Sequence, residues 1–256
     1  MLRCAAAKEA LPGRDMAFFV GCAGWNLRKE FANDFPYSGT HLERYATRLN
    51  GVEINSSFYR SHRMTTYQRW ADSTPSDFRF GVKMPKQITH VHRLIEVEPQ
   101  IEQFRHETSG LGGKLGAVLV QLPPSLKFDV PVVESFFSTL KASLDAPIVC
   151  EPRHPSWFNS EAESLIEECG VERVAADPSI VPEARVPGGC KQNVYFRWHG
   201  SPRMYYSEYD ERILVDLAGR LLITSELARN VWCVFDNTAE GFALKNALLL
   251  NQMLRT

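Results

Sequence analysis

The sequence has no apolar run long enough to span a membrane, and residues 1–17 lack the apolar core of a signal peptide. It has no excess charge of either sign. Its 29 basic and 30 acidic residues give a net charge of -1, which provides no overall argument for binding nucleic acid or a membrane. The six cysteines include no C-x-x-C pair and show no regular spacing, which excludes a zinc ribbon and a disulfide framework. We therefore expect a cytoplasmic protein without a membrane partner.

The sequence also lacks internal repeats, low-complexity segments and an interdomain linker. We expect residues 1–17 to be an N-terminal extension, disordered or loosely packed, and residues 18–256 to form a single domain. Pro12 and Gly13 interrupt the extension, and Met16 stands just before the first strand-like run, where it is a second candidate start. No functional residue is assigned to the extension.

Strand-like apolar runs alternate with helix-like stretches along the chain, a pattern typical of parallel strands joined by crossover helices. The predicted strands are Phe18–Gly21, Gly51–Ile54, Phe78–Lys83, Ala117–Leu122, Pro147–Glu151, Arg173–Ala176, Val194–Trp198 and Val231–Phe235. Eight such units predict an α/β fold, a single (β/α)₈ TIM-type barrel. The main alternative, an open doubly wound sheet, would need a glycine-rich phosphate loop after the first strand. Gly21–Trp25 does not supply one.

Helical spacing of apolar residues and capping signals locate the helices between the strands. The predicted helices are Thr40–Leu49, Thr65–Asp72, Pro99–Thr108, Pro131–Leu144, Glu161–Cys169, Asp210–Ala228 and Phe242–Leu254. The connection between Asp177 and Asn193 is irregular, because three prolines and two glycines interrupt it. We expect no regular sixth helix there.

Polar residues collect where the predicted strands end, which is the face that carries function in barrels of this kind. Seven of the eight strand ends bear a charged or amide side chain. The candidate site residues are Glu53, Asn55, Tyr59, Lys83, Gln121, Glu151, Arg153, His154, Trp157, Asp177, Arg197, His199 and Asn237.

An ordered set of short motifs resembles the YecE-like family, also called domain of unknown function 72. The motifs are Gly21-x-x-Gly24-Trp25, Val52-Glu53-Ile54-Asn55-Ser56-Ser57-Phe58-Tyr59, Lys83-x-Pro85 with Thr89-His90, Gln121-Leu122-Pro123-Pro124, Glu151-x-Arg153-His154-Pro155-Ser156-Trp157, Arg197-x-His199-Gly200 and Phe235-x-Asn237. The resemblance runs from about Phe18 to the end of the chain. It implies a TIM-type barrel and supplies no established reaction. The sequence departs from the family pattern at Ala23, Leu27, Asp236 and Phe242, where serine, an aromatic residue, asparagine and histidine are usual.

The residue types at the strand ends suggest a division of roles. Carboxylates and imidazoles carry protons near neutral pH, and the candidates are Glu53, Glu151, His154 and His199. Lys83, Arg153 and Arg197 would hold an anionic group, while Asn55, Gln121 and Asn237 would orient it. The other binding candidates are Tyr59, Trp157 and Asp177. The alternative interpretation is a buried ion-pair network without a ligand.

These residues predict an enzyme, such as a hydrolase, lyase or isomerase, that acts on a polar small molecule bearing a phosphate, carboxylate or sugar. A second hypothesis is nucleic-acid binding or metal-dependent phosphodiester cleavage, with a basic strip built from Arg60, Arg63, Lys86 and Arg93. A third is a non-catalytic metabolite-binding protein. The sequence requires no cofactor, and no ligand spacing predicts a metal site, although a divalent metal stays open.

Overall fold

The structure is a computed structural model that describes residues 17–255. Nearly all of the predicted N-terminal extension, residues 1–16, lies outside the described residues. The strands are β1 Ala17–Cys22, β2 Gly51–Ile54, β3 Arg79–Lys83, β4 Leu115–Gln121, β5 Ile148–Glu151, β6 Glu172–Arg173, β7 Ala175–Asp177, β8 Gly188–Gly189, β9 Asn193–Trp198 and β10 Asn230–Phe235. The α-helices are α1 His41–Tyr45, α2 Met64–Asp72, α3 Glu98–Thr108, α4 Val130–Ser143, α5 Ser160–Glu168, α6 Glu211–Ser225 and α7 Phe242–Met253.

The strands form two sheets, in the orders β2-β3-β4-β5-β6-β8 and β1-β10-β9-β7. Every neighbouring pair is parallel except β6 with β8, which is antiparallel. The prediction of an α/β chain with parallel strands is therefore confirmed. The sixth predicted strand is divided between the sheets, because β6 pairs with β5 whereas β7 pairs with β9.

The two sheets adjoin each other where β1 lies beside β2. A single backbone bridge joins Ala23 to Glu53. Side chains supply most of the remaining hydrogen bonds at this seam. The Asn50 amide accepts from the N–H of Val20 at 3.3 Å and donates to the carbonyl of Phe18 at 2.6 Å. The buried Tyr45 hydroxyl links the same two strands, because it accepts from the N–H of Cys22 and donates to the carbonyl of Gly51.

An apolar layer packs between the sheets, separate from the larger core that lies between the strands and the helices. Tyr195 and Trp232 stack in it with ring centroids 5.6 Å apart. Glycines face these large rings: a Cβ at Gly51 would lie 3.3 Å from Trp232, and one at Gly81 would lie 2.9 Å from the Tyr195 hydroxyl. Small residues opposite large ones thus allow the sheets to approach closely.

The helices agree with the predictions apart from their ends. α1 stops at Tyr45, earlier than predicted, and its capping box between Thr40 and Glu43 is present. As predicted, no regular helix follows β7; one 3₁₀ turn, Pro182–Arg185, and the short strand β8 occupy this connection. Within residues 17–255, no helix is both long and apolar enough to cross a membrane.

Candidate functional site

Arg197 lies at the centre of the candidate site and is completely buried. Its guanidinium forms a bidentate pair with Glu53, with Nη2 donating at 2.6 Å and Nε at 2.9 Å. Nη1 donates to Glu151 at 2.9 Å, and Nη2 also donates to Asp236 at 3.0 Å. Burial works against the charged form of Arg197, but the three carboxylates outweigh it and raise its pKa. The four side chains come from β2, β5, β9 and the end of β10.

His199 bridges two of these carboxylates. Its Nδ1 lies 3.1 Å from Asp236 Oδ2, and its Nε2 lies 3.1 Å from Glu151 Oε1. Ionised carboxylates only accept hydrogen bonds, so both contacts form together when each ring nitrogen carries a proton. The imidazole therefore has a fixed orientation in the cluster.

The two carboxylates beside His199 stay ionised although they are buried. Burial raises the pKa of Glu151, but Arg153, Arg197 and His199 together hold it well below its ordinary value. Burial likewise raises the pKa of Asp236, and Arg197 with the His199 hydrogen bond brings it below the ordinary value. Glu151 is thus better suited to orienting and stabilising a charged neighbour than to releasing a proton near neutral pH.

Arg153 and Tyr205 form the outer edge of the cluster. Arg153 Nε donates to Glu151 Oε1 at 2.9 Å, and its Nη1 donates to the Tyr205 hydroxyl at 3.3 Å. The Tyr205 ring meets the His199 ring edge-on at 5.8 Å. Because His199 is only 1% exposed, Tyr205 and its loop separate the imidazole from solvent.

Lys83 is the last residue of β3 and lies at the carboxyl ends of the strands, as the cluster does; we call this end of the strands the mouth. Lys83 is 6% exposed. Its Nζ lies 4.2 Å above the ring of Phe58 and makes no hydrogen bond or ion pair with the residues that the structure describes. Burial and Arg197 lower the pKa of Lys83, Glu53, Glu151 and Asp236 partly offset them, and the net pKa is about 8. Lys83 is therefore an unpaired amine beside a network of paired charges.

Some of the predicted residues bond to groups outside this cluster. His154 caps a turn, because its Nδ1 accepts from the backbone N–H of Ser156 and contacts that residue's hydroxyl at 2.8 Å. The Trp157 indole is buried and donates to a backbone carbonyl. Asp177 accepts a 2.6 Å hydrogen bond from Tyr209.

The amide candidates also have local partners. Asn237 donates to the Asn246 side chain and to a backbone carbonyl, while its side-chain Oδ1 has no partner among the described residues. Gln121 donates to the adjacent backbone. Asn55 Oδ1 is enclosed and unpartnered within the described residues. Tyr59 is 70% exposed. The substrate roles of all these residues remain predictions.

Sequence reasoning omitted three residues that contact the cluster. Asp236, one of the departures from the family pattern, is not among the predicted site residues, although it contacts both Arg197 and His199. The Tyr195 hydroxyl donates to Glu53 at 3.1 Å. Strand alternation could have identified Tyr195, because it lies two residues before Arg197 and so shares its face. Tyr205 lies in a loop, where no periodic signal applies.

The carboxylates surround a guanidinium rather than an open cation site. Within residues 17–255, no three His, Cys, Asp or Glu side chains converge in a group that could hold a metal ion. Arg197 occupies the centre towards which Glu53, Glu151 and Asp236 point. Its charge balances carboxylates that would otherwise be available as metal ligands.

A cavity of about 310 Å³ opens at the carboxyl ends of β1 and β10, and its lining does not include the side chains that surround Arg197. Trp25, Phe31 and Arg28 contribute to its wall, as does Ala23, whose backbone pairs with Glu53. The Arg28 guanidinium donates to the carbonyls of residues 239 and 240, which ties the loop after β1 to the loop after β10.

These features define an α/β protein with a charged cluster at the carboxyl ends of its parallel strands. A family model described as Protein of unknown function DUF72 matches residues 19–256, and the chain belongs to this family. The predicted resemblance to the YecE-like family is thereby confirmed.

Relatives at the level of sequence carry no stated activity. The UPF0759 protein YecE of Escherichia coli K12 is 31% identical over 152 residues, covering 57% of this chain and 55% of that protein. That match thus spans only about half of the relative's length. The UPF0759 protein YunF of Bacillus subtilis 168 is 23% identical, covering 92% of this chain and 94% of that protein.

Solved structures of the family share the fold. A DUF72 protein of Enterococcus faecalis V583 superposes with a TM-score of 0.79 at 22% identity, covering 94% of this chain and 96% of its own. A DUF72 protein of Thermotoga maritima MSB8 gives a TM-score of 0.78 at 24% identity, covering 93% and 99%. At these identities the likeness concerns the fold alone.

Proposed function

We propose that the two sheets form one (β/α)₈ TIM-type barrel and that the chain is an enzyme acting on a small anionic molecule at its C-terminal mouth. The seam between β1 and β2 and the division of the sixth strand between the sheets support a ring of eight parallel strands. With the strands in such a ring, the charged cluster lies where barrel enzymes carry their chemistry.

The observation that carries the proposal is the placement of His199 between Glu151 and Asp236. A buried ion network is weak evidence for stability, because well-packed apolar side chains often serve as well or better. Its presence at the mouth therefore favours a chemical role. His199 is the proton carrier, and the two ionised carboxylates orient the imidazole and stabilise its positive charge.

The preference for an anion rests on the charges around His90, which faces the same mouth as Lys83. The cations that lower the pKa of His90, after burial, are Lys83, Arg153, Arg93 and Lys86. Arg197 and Arg153 are paired with carboxylates, so Lys83, Lys86 and Arg93 are the cations that attract a phosphate or carboxylate. A concentration of positive charge at a cleft raises the local concentration of anionic ligands.

A turnover experiment with unfractionated metabolites tests the proposal. A small-molecule cell extract is incubated with the wild type, with His199→Gln and with the matched control His106→Gln, which alters an exposed histidine on α3. Mass spectrometry should show the same compounds consumed and formed by the wild type and His106→Gln, and little or no change with His199→Gln. Identical profiles for the wild type and a folded His199→Gln variant would contradict the proposed chemistry.

Nucleic-acid binding is the second candidate, favoured by the cations Lys86 and Arg93 beside the mouth. It predicts retention of single- or double-stranded DNA at low salt and steep release as salt rises. Binding of a metabolite without turnover would instead identify the non-catalytic alternative. The free thiols Cys22, Cys150 and Cys233 suit a reducing compartment, and the cytoplasm is the proposed location.

A further inference from the structure

In the acid–base proposal Lys83 helps to attract the anion but takes no part in the chemistry. Arg153, Arg197 and His199 each lie within 3.1 Å of a carboxylate oxygen. Lys83 Nζ instead faces the Phe58 ring, and no carboxylate of the described residues pairs with it. A surface lysine would be hydrated, but Lys83 is 94% buried by the surrounding side chains.

The position of this amine is well defined. Lys83 is the last residue of β3, and its backbone carbonyl accepts a 2.6 Å hydrogen bond from the buried Ser57 hydroxyl. The same hydroxyl contacts the carbonyl of Ile54 at the end of β2, so the two strand ends are held together. Lys83 retains 6% exposure, and we expect a small carbonyl compound to approach the amine through this opening.

We propose that Lys83 is a covalent catalyst that forms an imine with an aldehyde or ketone bearing a carboxylate or phosphate. The carbonyl group is the class of electrophile that an unpaired, desolvated lysine amine attacks. The anionic group follows from the cations that surround His90. This inference rests on the proposed small-molecule enzyme and specifies its substrate class.

The reaction balances without any external oxidant or reductant. The neutral Nζ adds to the carbonyl carbon, and one of its two protons passes to the carbonyl oxygen to give a neutral carbinolamine. A second proton on that oxygen lets it leave as water, while the nitrogen lone pair forms the C=N bond. In sum, the ammonium form of Lys83 and the carbonyl compound give a protonated imine and one water. The positively charged C=N group then withdraws electrons from the carbon next to it, which acidifies the C–H bond on that α-carbon for a neighbouring base.

The electrostatic surroundings keep part of the amine reactive. Burial and Arg197 lower the pKa of Lys83, whereas Glu53, Glu151 and Asp236 raise it, and the result is about 8. At pH 7 about one tenth of the side chain is therefore neutral, against less than about one thousandth for an ordinary exposed lysine.

Reductive trapping tests the inference directly. The intact protein is treated at pH 7 with pyruvate and sodium cyanoborohydride, and peptide mapping by mass spectrometry measures the rate of adduct formation at each lysine. We expect Lys83 to be labelled on the order of tenfold faster than Lys86, since its larger neutral fraction outweighs the lower nucleophilicity of a less basic amine. Lys86 is exposed and only three residues away, so it is a matched internal control.

Two further comparisons separate specific chemistry from general amine reactivity. Ethyl pyruvate has the same ketone without the negative charge, and it should label Lys83 more slowly than pyruvate does. Lys83→Arg keeps the charge but removes the nucleophile, so labelling at position 83 should vanish while that at Lys86 is unchanged. If the variant fails to fold, the comparison of Lys83 with Lys86 in the wild type still decides the matter.

Labelling of Lys83 no faster than that of Lys86 would overturn the inference, and equal labelling by pyruvate and its ester would overturn the anionic part of it. The metabolite experiment with His199→Gln is independent of trapping. Turnover that depends on His199, without an adduct at Lys83, would leave the proposed function standing and remove the imine. An adduct at Lys83 without turnover of any metabolite would show a reactive amine, but it would remove both the proposed enzyme and the catalytic role of Lys83.

Discussion

Replacing Arg197 with methionine should destabilise the protein strongly, because methionine fills a similar volume but cannot neutralise the three carboxylates. Arg197 donates four hydrogen bonds in the cluster, two to Glu53 and one each to Glu151 and Asp236. Removing one partner of a buried ion pair typically costs about 3–5 kcal/mol, and we expect Arg197→Met to lie in that range at pH 7.

The loss of folding stability in Arg197→Met should be larger at neutral pH than at acidic pH, as the pKa shifts of the carboxylates require. In the wild type the folded-state pKa values of Glu151 and Asp236 are lowered. Their ionised forms therefore contribute stability above the unfolded pKa values, which are about 4, and that contribution is lost as pH falls through the folded values. Without Arg197 these pKa values rise, so the variant is most unfavourable at neutral pH and recovers partly on acidification.

Urea unfolding of the wild type and Arg197→Met at pH 7 and pH 5 measures the loss of stability and its dependence on pH. Arg105→Met is the matched control, because Arg105 pairs with Glu102 on an exposed helix face, where ion pairs contribute little. It should leave the unfolding midpoint unchanged. A loss below about 1 kcal/mol for Arg197→Met, or an equal loss at both pH values, would refute this account of the cluster.

Three other substitutions test the contact between β1 and β2, the loop before α7 and the helix α6. The Tyr45 hydroxyl accepts from the N–H of Cys22 at 2.9 Å and donates to a carbonyl of β2. Tyr45→Phe should therefore lower the free energy of unfolding by about 2–3 kcal/mol and speed hydrogen exchange of the Cys22 amide. Unchanged exchange there would disprove the role. Gly241 has a φ of +87°, and an added Cβ would lie 2.6 Å from Arg28 Cδ, so Gly241→Ala should cost about 1–3 kcal/mol in thermal unfolding. Gly219→Ala, in open space on α6, should instead stabilise by about 1 kcal/mol, and a loss there would show that the helix environment is misjudged.

The sequence predicts the strands and most helices because their signals are local. The apolar run of β9 alternates with polar residues, so Arg197 and His199 fall on one face while Trp198 packs against Tyr209 in the helix layer. The prolines and glycines after Asp177 similarly exclude a helix without reference to the rest of the molecule. Periodicity and backbone chemistry suffice for such features.

The pairing within the cluster could not be predicted, because it depends on strands that are distant in the chain. Arg197 bonds to a carboxylate 144 residues away and to another 46 residues away. The sequence around Arg197 does not show whether its guanidinium is free to bind a ligand or already hydrogen-bonded to carboxylates of other strands. His154 is a different case: a histidine two residues before Ser156 is spaced to cap its own turn, and that local interpretation competed with a catalytic one.

The sharing of one guanidinium by three carboxylates has a consequence for how the family can vary. A neutral residue at position 197 would leave three buried negative charges facing each other, and a neutral residue at Glu53 would leave part of the guanidinium unmatched. Single changes at these positions are therefore unfavourable intermediates, whereas joint replacement by apolar residues is tolerable. We expect Arg197, Glu53 and Glu151 to be inherited as a block, so that a relative lacking the arginine also lacks these two carboxylates. Position 236, where asparagine is usual in the family, can vary by itself because the arginine keeps its other two partners.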